Sequence, residues 1–136
     1  MAYLYDTLIE EFGKRAITKI EIPNYISDNL KPGYGEREYQ KEAFQRFIIF
    51  YNEDFQGKPR KPYHLMYNMA TGSGKTLIMA GLILYLYEKG FRNFLFFVNS
   101  NNIIQKTKDN FLNPQASKYL FNNKIVIDGK EVLIKE

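Results

Sequence analysis

Apolar residues recur along this chain at two spacings, one helical and one alternating. Helical spacing predicts helices over residues 4–12, 38–51, 76–89 and 101–111. Alternating or continuous apolar runs predict strands over residues 17–22, 63–67 and 93–98. Near the end of the chain, two short alternating runs flank Asp128-Gly129, a strong signal for a two-residue hairpin turn.

The strand at 63–67, the helix at 76–89 and the strand at 93–98 form a βαβ pattern. Such a crossover is right-handed and joins parallel strands, so the loop after the first strand lies at the carboxyl edge of the sheet. The run NFLFFV at 93–98 is typical of a central parallel strand. The sequence therefore predicts an α/β fold, with a parallel sheet flanked by helices and a C-terminal β-hairpin.

The loop inside this unit, MATGSGKT at residues 69–76, has the composition of a phosphate-binding loop. Glycines let the backbone N–H groups turn toward an anion at the start of the helix. Lys75 can reach the β- and γ-phosphates, and the Thr76 hydroxyl can bind Mg²⁺. Met69 stands where the general consensus has a glycine. The alternative is an ordinary Gly-Ser turn. We expect ATP or GTP to bind at Thr71, Gly72, Ser73, Gly74, Lys75 and Thr76, with Lys75 and Thr76 as the catalytic candidates.

Composition excludes several other classes of site. The chain has 136 residues, 45% of them apolar, which suits one domain with a real core. It has no cysteine and one histidine, so disulfides, thiolate metal sites and histidine clusters are excluded. The first residues lack the order of a signal peptide, and the longest apolar run, 77–87, is too short to span a bilayer. We expect a soluble, cytoplasmic protein with no membrane partner.

The net charge of +4 is compatible with nucleic acid without being diagnostic of it. The basic cluster KPRK at 58–61 is either a phosphate contact or, more commonly, a solvated loop.

The helix upstream of the loop carries a second group of candidates, Arg37, Tyr39 and Gln40. A glutamine amide offers a donor and an acceptor that can pair with the N6 and N7 edge of adenine. A tyrosine ring offers a stacking surface. The alternative is an ordinary amphipathic helix whose polar residues face water.

These motifs carry a family resemblance. The pattern Arg37-x-Tyr39-Gln40-x-x-Ala43, followed by MATGSGKT, resembles the start of a DEAD/DEAH-type superfamily-2 helicase or translocase. The resemblance implies a partial RecA-like P-loop NTPase domain in which Gln40 reads adenine. Residues 97–107 resemble the motif that contacts one DNA strand, which implies nucleic-acid contacts by Asn99, Ser100, Asn102 and Gln105. The first three could equally cap the following helix.

Within that superfamily, the methionine form of the loop and the tail at 117–130 are most similar to the restriction (Res) subunit of type III restriction-modification enzymes. This similarity implies a DNA-dependent ATPase or translocase of a restriction endonuclease. It also implies ATP and Mg²⁺ as cofactors, and double-stranded DNA and a methyltransferase subunit as partners.

Hydrolysis in this family needs an Asp-Glu-x-His box, and the 136 residues contain none. The second motor domain and a nuclease motif are also missing from them. We therefore expect residues 1–34 to be an N-terminal extension of helix and strand, and residues 35–136 to be the first part of the motor domain. We expect no turnover from this chain alone. Two alternatives remain: a nucleotide-binding module without turnover, and a small-molecule kinase, for which no lid arginines are found.

Overall fold

Helices dominate the part of the protein that the computed structural model describes, residues 3–34 and 37–136. Two short strands close the chain. In order, the elements are α1 Leu4–Phe12, α2 Lys14–Thr18, α3 Asn24–Ser27, α4 Glu38–Asn52, α5 Lys75–Glu88, α6 Asn101–Leu112, β1 Ile125–Ile127 and β2 Lys130–Val132. No helix in these two ranges is long and apolar enough to cross a membrane.

The four helices predicted from apolar spacing are confirmed as α1, α4, α5 and α6, with ends that agree within one residue. Their ends have local causes. The chain leaves α1 at Gly13, whose φ of 80° a glycine adopts easily. It enters α5 through Gly74, whose φ of 92° and ψ of 33° lie in the left-handed region.

The predicted hairpin is also confirmed. β1 and β2 are antiparallel and pair Ile125 with Val132 and Ile127 with Lys130. Asp128 and Gly129 both have positive φ, 52° and 72°. Positive φ at both central residues is the geometry that a two-residue hairpin with the usual strand twist requires. Ile125 and Ile127 face the core, as their alternation predicts.

The prediction of a strand at 17–22 is wrong. Ile17 is buried within α2, and the residues after it form no ladder. The carbonyls of Thr18 and Ile20 instead accept hydrogen bonds from Gln45 of α4, at 3.0 and 3.1 Å. Ile17 and Ile20 are three residues apart, a spacing that also suits a helical turn, so the apolar pattern alone did not distinguish the two structures.

The parallel sheet is not seen among the described residues. Residues 63–70 and 91–98 are neither helical nor paired in a ladder. Burial alternates along the first segment, where Tyr63, Leu65 and Tyr67 are half-buried while His64 and Met66 are exposed. This alternation is that of an extended chain. The mixed helix and strand composition is therefore confirmed, whereas parallel pairing of the two segments stays a prediction.

The core lies between α4, α5, α3 and the hairpin. Phe44 and Ile48 of α4 pack with Leu84 and Tyr85 of α5, all at most 7% exposed. The opposite side of α4 contributes Ile49 and Phe50 to a smaller cluster with Leu8 and Ile17. Burying large apolar side chains on two sides of α4 makes this helix the central support of the molecule.

Close approach of α4 and α5 depends on Gly81. A Cβ atom at this position would lie 2.4 Å from two ring atoms of Phe44 and 3.4 Å from Ile26. The missing side chain lets the Phe44 ring lie directly against the backbone of α5.

A buried asparagine ties the hairpin to α3. Asn29 donates from Nδ2 to the Val126 carbonyl at 2.8 Å and accepts the Val126 N–H on Oδ1 at 2.7 Å. Its Nδ2 also donates to the Tyr25 carbonyl at 2.6 Å. Asn29 thus satisfies both backbone groups of Val126 as a neighbouring strand would.

Candidate functional site

The loop at 69–76 forms a tight turn that leads directly into α5. The N–H and the hydroxyl of Ser73 both donate to the Ala70 carbonyl, at 3.2 and 2.6 Å. Gly72 and Gly74 have φ of 77° and 92°, which side chains would disfavour. The backbone therefore forms a tight turn, a shape that can present N–H groups to an anion.

The start of α5 presents free donors to this loop. Its N-cap residue, Gly74, has no side chain to cap the helix, and the first N–H groups of a helix have no partner within it. These groups carry the positive end of the helix dipole. Lys75 is exposed and forms no salt bridge in the described ranges, while Thr76 beside it is half-buried. Together these groups can hold a phosphate.

Met69, the residue that departs from the loop consensus, has a structural explanation. Its side chain packs against the main core cluster. Among the described non-glycine residues only Asp128 has positive φ, so Met69 adopts an ordinary backbone conformation. The first position of the loop does not need glycine here, and methionine anchors the loop to the core.

The N-terminal end of α4 lies against this loop. Gln40 is 5% exposed, and its Nε2 donates to the Ser73 carbonyl at 3.1 Å. Arg37 Nη1 donates to the Tyr39 hydroxyl at 2.9 Å, and both side chains are exposed. The structure therefore brings Gln40 into direct contact with the loop and leaves the Tyr39 ring open to solvent on the same helix turn.

The candidates for nucleic-acid contact are at the start of α6. Ser100 is the N-cap residue, but its side chain forms no capping hydrogen bond. Gln105 donates to Asp109 at 3.4 Å within the helix. Asn99, Asn102 and Gln105 are exposed. Within the described ranges, no hydrogen bond links these four residues to the phosphate loop.

The basic cluster at 58–61 is partly structural. Lys58 donates to the Glu53 carbonyl at 2.6 Å, and its Nζ lies 5.6 to 5.9 Å from the ring centroids of Phe50, Phe55 and Tyr63. Its side chain is 12% exposed. This lysine stabilises the loop after α4 and is not presented to a partner.

Thr76 is the loop residue that could contact a metal ion. In the described part of the chain, no three His, Asp or Glu residues are close enough to hold a metal ion. Mg²⁺ is commonly held by few protein ligands together with substrate phosphates. The Thr76 hydroxyl, on the first turn of α5, fits such a limited role. Burial raises the pKa of Tyr67, two residues before the loop.

Comparison with known proteins identifies the family. Residues 34–135 match the family model described as "Type III restriction enzyme, res subunit". The chain belongs to the Res-subunit family. This Res-family chain is also similar to the "Probable type III restriction-modification enzyme HindVIP Res subunit" of Haemophilus influenzae (strain ATCC 51907 / DSM 11121 / KW20 / Rd), with 50% identity over 109 residues. The family resemblance inferred from the motifs is confirmed.

The similarity covers 77% of this Res-family chain and 21% of the relative, so the chain spans about one fifth of that protein's length. A search of solved structures gives no significant match.

One contact in this Res-family chain was missed by sequence reasoning, namely the bond from Gln40 to the loop. A signal for it existed. Gln40 precedes Phe44 by four residues and Ile48 by eight, and so lies on the stripe of α4 that faces the core. A polar residue on that stripe must find a buried partner, and the loop carbonyl provides one.

Proposed function

We propose that this chain binds ATP with Mg²⁺ and forms the ATP-entry part of the motor of a type III restriction enzyme, within a RecA-like fold. The observation that carries the proposal is the curled glycine loop at the uncapped start of α5, with Lys75 beside it. Membership of the Res-subunit family supports the same reading.

Each loop residue has a distinct part in the proposal. The free N–H groups of the loop and of the first turn of α5 surround the phosphates, while the Ser73 N–H donates to the Ala70 carbonyl within the loop. The Lys75 ammonium neutralises charge on the β- and γ-oxygens. The Thr76 hydroxyl would hold Mg²⁺, which would supply positive charge to the phosphate oxygens when bound with the nucleotide. These groups give affinity for the triphosphate whatever the base.

Preference for adenine requires groups outside the loop. We propose that the Tyr39 ring, which is 41% exposed, stacks on the base, with Arg37 fixing its hydroxyl. Gln40 lies at the helix end that contacts the loop, but it is 5% exposed and its amide donates to Ser73. Pairing of Gln40 with the adenine edge, which the family resemblance implies, is therefore not part of this proposal.

Activity on DNA is a further part of the proposal. We propose that the chain acts as part of a DNA-dependent ATPase of a cytoplasmic restriction system, together with a methyltransferase subunit. The polar residues Asn99, Ser100, Asn102 and Gln105 would contact a DNA phosphate, a role that short polar side chains and helix N-termini commonly serve. From the chain alone we expect ATP binding without turnover, because its sequence has no Asp-Glu box.

The decisive experiment compares Lys75→Ala with wild type in equilibrium titrations of ATP and GTP with Mg²⁺. Loss of a charge-assisted bond to phosphate should weaken both nucleotides about tenfold or more. Lys14→Ala is a closely matched control, since Lys14 also follows a glycine of positive φ and begins a helix, α2. The Lys14→Ala variant should bind both nucleotides with wild-type affinity.

Circular dichroism of each variant establishes that the fold is kept. Equal affinity of Lys75→Ala and wild type would overturn the site assignment. Failure of the folded wild-type chain to bind either nucleotide would overturn the proposed function itself. Phosphate release followed in the same samples tests the expectation of no turnover.

A further inference from the structure

The contact between α4 and the phosphate loop is closer than a single hydrogen bond suggests. Gln40 Nε2 lies 3.1 Å from the Ser73 carbonyl oxygen. A Cβ atom on the next residue, Gly74, would lie 2.5 Å from the same nitrogen. The amide of Gln40 therefore occupies the space that Gly74 leaves free, and it does so with the side chain almost fully buried.

This contact determines the orientation of one peptide group. In a trans peptide the C=O and the following N–H point in opposite directions. A Ser73 carbonyl held toward Gln40 therefore directs the Gly74 N–H away from α4. Rotation of the same peptide would aim a carbonyl oxygen where the N–H had been, and a carbonyl repels an anion.

The position of Gln40 is itself fixed by packing. Phe44, one turn further along α4, lies directly against the backbone of α5 at Gly81. Two glycines of the loop-and-helix unit, Gly74 and Gly81, thus receive two side chains from one stripe of α4. The helix cannot shift along α5 without disturbing both contacts.

We propose that Gln40 is a positioning residue for the phosphate loop, whose amide holds the Ser73–Gly74 peptide so that the Gly74 N–H faces the bound phosphates. The proposal rests on the proposed nucleotide-binding function and deepens it. It gives Gln40 a role that does not depend on the base. While the bond to Ser73 is made, the amide hydrogen in it is not available to adenine.

The test replaces Gln40 by methionine, which has a similar length and volume but no hydrogen-bond donor. Gln45→Ala is the control, because Gln45 is on the same helix and also donates to backbone carbonyls, those of Thr18 and Ile20. The probes are ATP, GTP and inorganic tripolyphosphate, each titrated with Mg²⁺. Thermal melts confirm that both variants are folded.

A positioning role predicts that Gln40→Met weakens all three probes by the same factor, about fivefold for one neutral hydrogen bond. The ratio of ATP to GTP affinity should stay at the wild-type value, and Gln45→Ala should leave all three affinities unchanged. Weaker binding of ATP alone would overturn the proposal in favour of base reading. Unchanged affinity for all three would overturn it as well.

A second measurement needs no ligand, so it separates this proposal from the nucleotide-binding function. Amide hydrogen exchange of the free protein should be faster at residues 72–76 in Gln40→Met than in wild type or Gln45→Ala. If the chain binds no nucleotide, the proposed function fails. Faster exchange in Gln40→Met would then still support the link between α4 and the loop. Unchanged exchange would overturn the link.

Discussion

Replacing Gly81 by alanine tests the close contact between α4 and α5. The new methyl group would lie 2.4 Å from Cε1 and Cζ of the Phe44 ring, well inside van der Waals contact. Phe44 is 2% exposed, so its ring is enclosed by the core. One of the two helices must shift, or the ring must leave its preferred rotamer.

The expected magnitude is the difference between two opposing effects. Adding a methylene-sized group to a packed core typically costs about 1–3 kcal/mol. Alanine in a helix interior gains about 1 kcal/mol over glycine. We therefore expect Gly81→Ala to lower the free energy of unfolding by up to about 2 kcal/mol, with the steric effect outweighing the gain in helix propensity.

Urea unfolding followed by far-ultraviolet circular dichroism measures this change. The midpoint should fall while the slope of the transition stays the same. The same substitution made in a Phe44→Leu background should cost less, because leucine removes the ring atoms that clash. A double-mutant cycle gives the coupling between the two positions. A Gly81→Ala variant as stable as wild type, or more stable, would refute the reasoning.

Two further predictions concern stability. Asn29→Ala removes the bonds to both backbone groups of Val126 and should cost about 2 kcal/mol or more in urea unfolding, whereas alanine at the exposed Asn123 should cost almost nothing. Equal midpoints for the two variants would contradict this role of Asn29. Burial raises the pKa of the Tyr67 phenol, so its contribution to stability is complete below the unfolded-state pKa of 10.0 and is lost as pH rises above it. The urea midpoint should fall between pH 8 and about pH 11, and a Tyr67→Phe variant should show a smaller fall.

The elements that sequence alone predicted well are those with local causes. α4 follows from apolar spacing, and the hairpin follows from Asp128-Gly129, whose residues adopt positive φ more readily than most. The prediction of a strand at 17–22 failed because the apolar positions there fit a helical turn as well as a strand. The pairing of 63–67 with other strands depends on residues far along the chain, which no local pattern specifies.

The same distinction between local and long-range causes applies to the candidate site. Gly72, Gly74 and Lys75 are recognisable because each is required by the chemistry of a phosphate loop. The bond from Gln40 to Ser73 joins residues 33 positions apart and depends on how α4 packs on α5. Roles for Arg37, Tyr39 and the start of α6 stay predictions, since they need a nucleotide or DNA to be tested.

The segment from Phe94 to Phe97 has a practical consequence for work with this chain. Leu95 and Phe97 are 83% and 85% exposed, and no ladder occupies the backbone of this segment within the described residues. Four consecutive apolar residues with unpaired backbone groups are the composition that favours intermolecular strand pairing. We therefore expect the purified chain to self-associate through this segment. Ligand titrations belong at the lowest protein concentration that the signal allows, with light scattering recorded alongside each of them.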